Sequence, residues 1–177
     1  AERESTVVSG GARGIDTAGH QGALRSGATA VIPAAGVLTF RWESIAPERP
    51  EPGAACVLGQ FPPTDRWRTR NALQRNHSIV ALSDAVVAFE PRTHGGTFRS
   101  CRIALRMRKP LFVVNARSDR EHTSGQQQMV GAGAVALDPD RMPDPHEFSR
   151  LVEDYVPPAR KSQGSLFLEN GERTRRS

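Results

Sequence analysis

The chain has 177 residues, with 24 Lys+Arg against 19 Asp+Glu and a formal net charge of +5. That length suits one α/β domain with a real core, and 37% apolar with 24% charged residues excludes a mainly disordered chain. No apolar run approaches the roughly 20 residues a bilayer crossing needs, and Ala1–Thr6 is polar rather than a secretory signal.

In chain order, Val7–Val8 predicts a short buried strand. From Arg13 to Arg25 apolar and small residues recur at helical spacing, and Gly27 closes that helix. "ATAVIP" (28–33) is the next strand, followed by a Pro- and Glu-containing connection over 37–53 with helical character in its middle. "ACVLGQF" (55–61) is a third strand, stopped by Pro62–Pro63. A polar, Arg-rich helical segment over 66–82 runs into the strand "SDAVVAFE" (83–90). "THGGT" (93–97) breaks the chain before a helix over 98–108 and the strand "LFVV" (111–114). A short helix near 124–130, a strand "AVAL" (134–137) and a helix near 145–155 complete the pattern. Strands alternating with helices predict an α/β, Rossmann-like parallel sheet with helices on both faces. The expected domain is 1–156, and the Pro/Ser/Arg-rich stretch 157–177 is expected to be a flexible tail.

Cys56 and Cys101 lie far apart without metal-type spacing, and are expected to be buried or idle thiols in a reducing cytoplasm. Lys109 and Lys161 are the only lysines, so the cationic side is almost wholly arginine. A basic balance favours a polyanionic partner, although codon bias in a GC-rich genome produces the same arginine excess.

Two glycine turns stand between a strand and a helix. They are Ser9-Gly10-Gly11-Ala12-Arg13-Gly14 and His94-Gly95-Gly96-Thr97. In a parallel sheet ligands bind at the carboxyl ends of strands, where helix N-termini offer unpaired N–H groups and favour phosphate. Glycine lets backbone approach such an anion, and Arg13 adds a planar donor fork. Packing alone is the competing explanation of both turns. Neither is followed by the Gly-Lys-Ser/Thr of a Walker loop. The strand after the first turn ends in Ile32-Pro33-Ala34, with no acid to hold a ribose, so NAD is not expected. No cofactor and no metal is expected.

The blocks "VVSGGARGIDTAGHQGAL", "FPP", "RNHSIVALSDAVVAFE", "GGTFRSCRIAL", "LFVV" and "SGQQQMVGAGAVAL" resemble, in that order, the DprA/Smf family of DNA-processing proteins over residues 6–138. The resemblance implies an extended Rossmann-like domain that binds single-stranded DNA, helps load a RecA-type recombinase during natural transformation, commonly dimerises and is not known for catalysis. It places Ser9, Gly10, Gly11 and Arg13 on a first phosphate-facing turn, Arg75 and Asn76 on an Arg-Asn pair, and Gly96 and Thr97 on a Gly-Ser step. His77 stands where a second arginine is usual, and Gln60 replaces a common acid. The family's first strand, with its Gly-Ser-Arg turn, is not recognisable. It would lie mid-sheet, where a sheet without it has a gap, so the expectation is that the chain is N-terminally incomplete or that another segment supplies the strand. No winged-helix domain is recognisable after the Rossmann part.

Arg66, Arg68, Arg70 and Arg75 with Trp67 make a basic stretch around one aromatic ring, suited to phosphates and base stacking, or to a solvated helix face with Trp67 turned inward. His20 lies an i,i+4 step from Asp16, within reach of a hydrogen bond, and a structural histidine is the simpler reading. Asp16 most simply stabilises the start of its helix. Thr97 suits a phosphate donor or a helix cap, and Arg99 and Arg102 suit a solvated face. A related phosphoribohydrolase reading needs a glutamate where Ser100 stands. "QGSLF", with Gln163, Leu166 and Phe167, resembles a peptide that docks on the sliding clamp.

The leading expectation is therefore a non-catalytic single-stranded DNA-binding protein acting in DNA processing, uptake or recombination. Its expected DNA or phosphate contacts are Ser9, Gly10, Gly11, Arg13, Arg68, Arg70, Arg75, Asn76, His77, Gly95, Gly96 and Thr97. A Rossmann-like nucleotide sensor and, behind it, a nucleotide phosphoribohydrolase are the alternatives.

Overall fold

The structure, a computed structural model, describes residues 5–46, 48–116 and 120–158. The described residues form six strands and five α-helices, which alternate except that β3 follows β2 without an α-helix between: β1 (Thr6–Ser9), α1 (Ile15–Ser26), β2 (Ala28–Val31), β3 (Ala55–Val57), α2 (Thr69–Leu82), β4 (Val86–Phe89), α3 (Gly96–Arg106), β5 (Leu111–Val114), α4 (Arg120–Gly131), β6 (Val135–Leu137) and α5 (Pro145–Glu153). Every strand pair is parallel, as the alternation predicts. Val7 pairs with Thr29 and Ala30 with Cys56 in one half, while Val87 pairs with Phe112 and Val113 with Ala136 in the other.

The strands form two three-stranded sheets, β1-β2-β3 and β4-β5-β6, rather than one continuous sheet. β1 and β3 are the edge strands of the first sheet, and β4 and β6 those of the second. α2 bridges the halves, touching β1 and packing along α3, which in turn covers β4.

β5 shows why its four apolar residues read so clearly as a strand. Leu111 and Val113 join the cluster with Ala88, Cys101, Ala104 and Met129, whereas Phe112 and Val114 face Leu137, Phe148 and Leu151. Alternate side chains thus enter opposite helical layers, and a strand covered on both faces needs apolar residues throughout. Phe112 and Phe148 meet with ring centroids 5.0 Å apart. α5 starts where Asp144 accepts a 2.8 Å hydrogen bond from the Glu147 amide, with Pro145 next, so this helix is closed by local chemistry.

Several boundaries differ from the sequence pattern. β3 stops at Val57, and the chain then leaves the sheet for the turn at Pro63–Thr64, closed by the Asp65 amide on the Pro62 carbonyl. α2 begins at Thr69, leaving Arg66 and Trp67 in the preceding loop. α3 begins at Gly96, so the second glycine turn is partly its first turn. α4 is longer than predicted, and the 37–53 connection holds short 3-10 turns at Val37–Thr39 and Trp42–Ser44. Ile45 closes that connection against Gly11 and Val31, and the Gln21 side chain donates to its carbonyl at 2.8 Å. No helix among the described residues is long and apolar enough to cross a membrane. The tail residues Gln163, Leu166 and Phe167 lie outside the described residues.

Candidate nucleic-acid interface

Parallel pairing sends the loops after β1, β2, β3 and β4 out at the carboxyl ends of their strands, so both glycine turns start where a strand hands over to a helix. Their hydrogen bonding differs.

In the first turn the amides of Gly10 and Ala12 both donate to Asp16 Oδ2, each at 3.2 Å. The seat predicted for a phosphate is filled from within by a carboxylate, which also compensates the positive end of α1. Asp16 therefore acts as the helix stabiliser its position suggested. Arg75 belongs to this closed assembly and not to the exposed basic stretch. It is 7% exposed, lies directly beneath Gly10 and donates from Nη1 to the Ile32 carbonyl at 3.1 Å. Burial holds its pKa below the ordinary value, partly offset by Asp16. A Cβ on Gly10 would fall within the guanidinium, so glycine is required there by close approach. Ser9 and Gly11 are half-buried in the same turn, while Arg13 remains exposed.

His20 completes the interior below this turn. It is fully buried, and its Nδ1 lies 2.6 Å from Thr29 Oγ1, not on Asp16. The Thr29 hydroxyl donates to the Val7 carbonyl at 2.8 Å, so its oxygen accepts from Nδ1–H and Nε2 keeps a lone pair. Nε2 is buried without a hydrogen-bond partner among the described residues. Burial lowers the His20 pKa below 6.5, Asp16 opposes this and Arg75 reinforces it. The group is a neutral structural histidine.

The second turn is open. Gly95 precedes α3 with φ 98° and ψ −172°, a backbone region essentially reserved for glycine. Beyond the Cβ positions of Gly95 and Gly96 there is nothing within 4 Å. No side chain caps α3, its first turn holds no acid, and the amides of Gly96, Thr97 and Phe98 have no hydrogen bond among the described residues. Thr97 lies inside the helix, so it is not the cap. Ser100 turns its hydroxyl back to the Gly96 carbonyl at 3.2 Å.

α2 has the same unusual electrostatics. Its first turn holds no acid and no side chain caps it, yet Arg68 is its N-cap residue and Arg70 lies in its first turn. Both are exposed, as are Arg66 and Trp67 just before them. Cations at the positive end of a helix oppose its dipole, and α1 and α5 carry acids there. Farther along α2, Asn76 is half-buried and His77 exposed, while Asn71 is buried with Nδ2 unpartnered among the described residues.

The pattern reading took Arg99 and Arg102 for a solvated face and left out Arg106, which completes a stripe along α3. The i, i+3, i+7 spacing was visible in the sequence and places all three on one helical face. Burial lowers the Arg102 pKa, and the nearby Arg106 and Arg99 lower it further. No group of three or more His, Cys, Asp or Glu side chains able to hold a metal occurs among the described residues.

Comparison with known proteins gives a consistent picture. Residues 1–143 match the family model described as DNA recombination-mediator protein A. Protein Smf of Escherichia coli K12 is 28% identical over 141 residues, covering 77% of this chain and 37% of that protein. DNA processing protein A of Streptococcus pneumoniae superposes with a TM-score of 0.62 at 23% identity, covering 75% of this chain and 47% of that one. DNA processing protein A of Helicobacter pylori, whose structure is described for its single-stranded DNA binding mode, gives 0.63 at 23% identity over 84% of this chain and 66% of that one. The chain thus spans about a third of the curated relative's length and about half to two thirds of the two structures.

Proposed function

The chain belongs to the DNA recombination-mediator protein A family, and from that premise we propose that it binds single-stranded DNA by its backbone phosphates at the carboxyl rim, without catalysing a reaction on it, in DNA processing, uptake or recombination. The observation that carries this reading is the paired start of α2 and α3. These two packed helices both lack an acid or side-chain cap in the first turn, and both carry arginines. An interface that holds a polyanion has a use for that arrangement, whereas helix stability does not.

In this reading the amides of Gly96 and Thr97, opened by Gly95, receive one phosphate, and Thr97 adds its hydroxyl. Arg68, Arg70 and Arg13 contact further phosphates, with Asn76 and His77 beside them on α2. Gly10 and Arg75 contribute by holding the rim in shape, since the Gly10 amide is taken by Asp16 and Arg75 is bound to the Ile32 carbonyl, while Ser9 and Gly11 complete the turn. The Arg99, Arg102 and Arg106 stripe extends the positive field along α3.

The test is fluorescence anisotropy with a labelled oligonucleotide over a salt series. Contacts to three or four phosphates give a log–log slope of about −2 to −3 for a single strand, with little dependence on base sequence. Binding that ignores salt, or none, overturns the proposal.

A single free helix terminus also suits one phosphate of a nucleotide, which favours a sensor as the second reading. Calorimetry with mononucleotides against an oligonucleotide separates them, because a sensor binds the mononucleotide and DNA binding prefers the longer chain. The finer partner proposals are a RecA-type recombinase, a second copy of the chain, and a sliding clamp reached through Gln163, Leu166 and Phe167. For the last, a Leu166→Ala/Phe167→Ala tail peptide losing clamp binding is the expected result.

A further inference from the structure

We propose that Trp67, on a loop tied by backbone bonds to the loop that carries Leu38, is a base-stacking platform beside the arginines of its own segment, so that the protein grips the bases of a single strand as well as its backbone. This rests on the DNA-binding reading above and adds the nucleic-acid moiety and the residue that meets it. Two observations on neighbouring loops carry it.

The first is exposure without local cause. Trp67 is 63% exposed and Leu38 is 74% exposed. The other tryptophan, Trp42, is half-buried and stacks edge-on with Phe40 at 5.2 Å between centroids. Trp67 has no such ring partner among the described residues. The inward orientation weighed from the sequence is therefore not adopted.

The second is that the surface is anchored. The Gly36 amide donates to the Asp65 carbonyl at 2.8 Å and the Leu38 amide to the Pro63 carbonyl at 3.0 Å. The Asp65 amide in turn donates to Pro62 at 2.9 Å, closing the turn two residues before Trp67. Leu38 and Trp67 thus project from two loops tied together by backbone bonds, which limits the entropy lost when a ligand settles on them. Both loops leave the carboxyl ends of adjacent strands, β2 and β3, next to β1 in the same sheet.

Charge selects the occupant. Trp67 sits between exposed Arg66 and Arg68, with Arg70 and Arg41 exposed nearby, against Asp65 in one loop and Glu43 in the other. An apolar protein partner has no need of that cationic frame, whereas an unpaired base offers a π-face together with a phosphate.

The experiment uses the full chain in a Trp42→Phe background, where Trp67 is the only tryptophan. Titration with a thymidine oligonucleotide is expected to quench Trp67 fluorescence, saturating together with anisotropy. Trp67→Ala is expected to weaken binding about 5- to 100-fold, with Trp67→Phe within about threefold of wild type. An abasic oligonucleotide of equal length is expected to bind wild type and Trp67→Ala alike. Equal binding of the ordinary oligonucleotide by wild type and Trp67→Ala, without quenching, overturns the platform while leaving phosphate binding intact. Absence of oligonucleotide binding by wild type overturns both readings.

Discussion

Arg75 lies under Gly10 so closely that no side chain fits between them, and its Nη1 donates to the Ile32 carbonyl at 3.1 Å. One cation from α2 thus supports the turn after β1 and the end of β2. Gly10→Ala is expected to cost about 1–3 kcal/mol through overpacking. Arg75→Ala is expected to cost roughly 2–4 kcal/mol by orphaning a buried carbonyl and emptying the site. Because the two share one space, the double variant should be less destabilised than the sum. A urea double-mutant cycle checks this, and additive losses contradict the contact.

His20 makes stability depend on mild acid. Its folded pKa lies below 6.5, so between that depressed value and 6.5 the unfolded chain binds the proton that the folded chain refuses. Its stabilising contribution is complete above 6.5 and is lost as pH falls toward the folded value. Asp144, held below 3.8 chiefly by the Glu147 amide, titrates outside this window. Urea midpoints at about pH 7.5 and about pH 5.5 are expected to differ, with a smaller difference in His20→Asn.

Asp16 both closes the first turn and stabilises α1. Asp16→Ala is expected to lose about 1–3 kcal/mol, the range for hydrogen bonds to a charged group together with its effect on the helix dipole. It should also free the Gly10 and Ala12 amides and raise affinity for an oligonucleotide or inorganic phosphate. Thermal melts and anisotropy on the same variant separate the effects, and unchanged anion affinity would show that the turn does not open.

Along α3, Arg102→Gln is expected to weaken oligonucleotide binding and to reduce the salt slope by about 0.7, the contribution of one phosphate on a single strand. Salt titration of the variant against wild type reads this directly. An unchanged slope would remove the α3 stripe from the interface.

The thiols differ in reactivity. Cys101 is buried and its pKa is pushed up to about 12, chiefly by burial, while Cys56 is exposed. Native alkylation followed by mass spectrometry is expected to modify Cys56 rapidly and Cys101 only after unfolding. Equal native labelling would contradict the packing of α3.

The alternation of strands and helices was legible because it is written locally. Leu111–Val114 are apolar in succession since both faces of β5 are covered, and the spacing after Arg13 marks α1. Both glycine turns were visible for the same reason. Which of them is open was not legible, because Asp16 is as compatible with capping a helix as with leaving the turn vacant. Arg75 and Arg68 look alike in sequence, and only packing sends one under Gly10 and leaves the other in solvent.

By itself, then, the order of residues determined an α/β chain of parallel strands, the family resemblance and the glycine turns between strand and helix, because spacing and turn chemistry act over a few neighbours. Tertiary structure alone decided that a carboxylate fills the first turn, that Arg75 is buried and that Trp67 faces water. Burial and hydrogen-bond partnership depend on groups far apart in the chain, and no local pattern encodes which of two similar side chains will be covered.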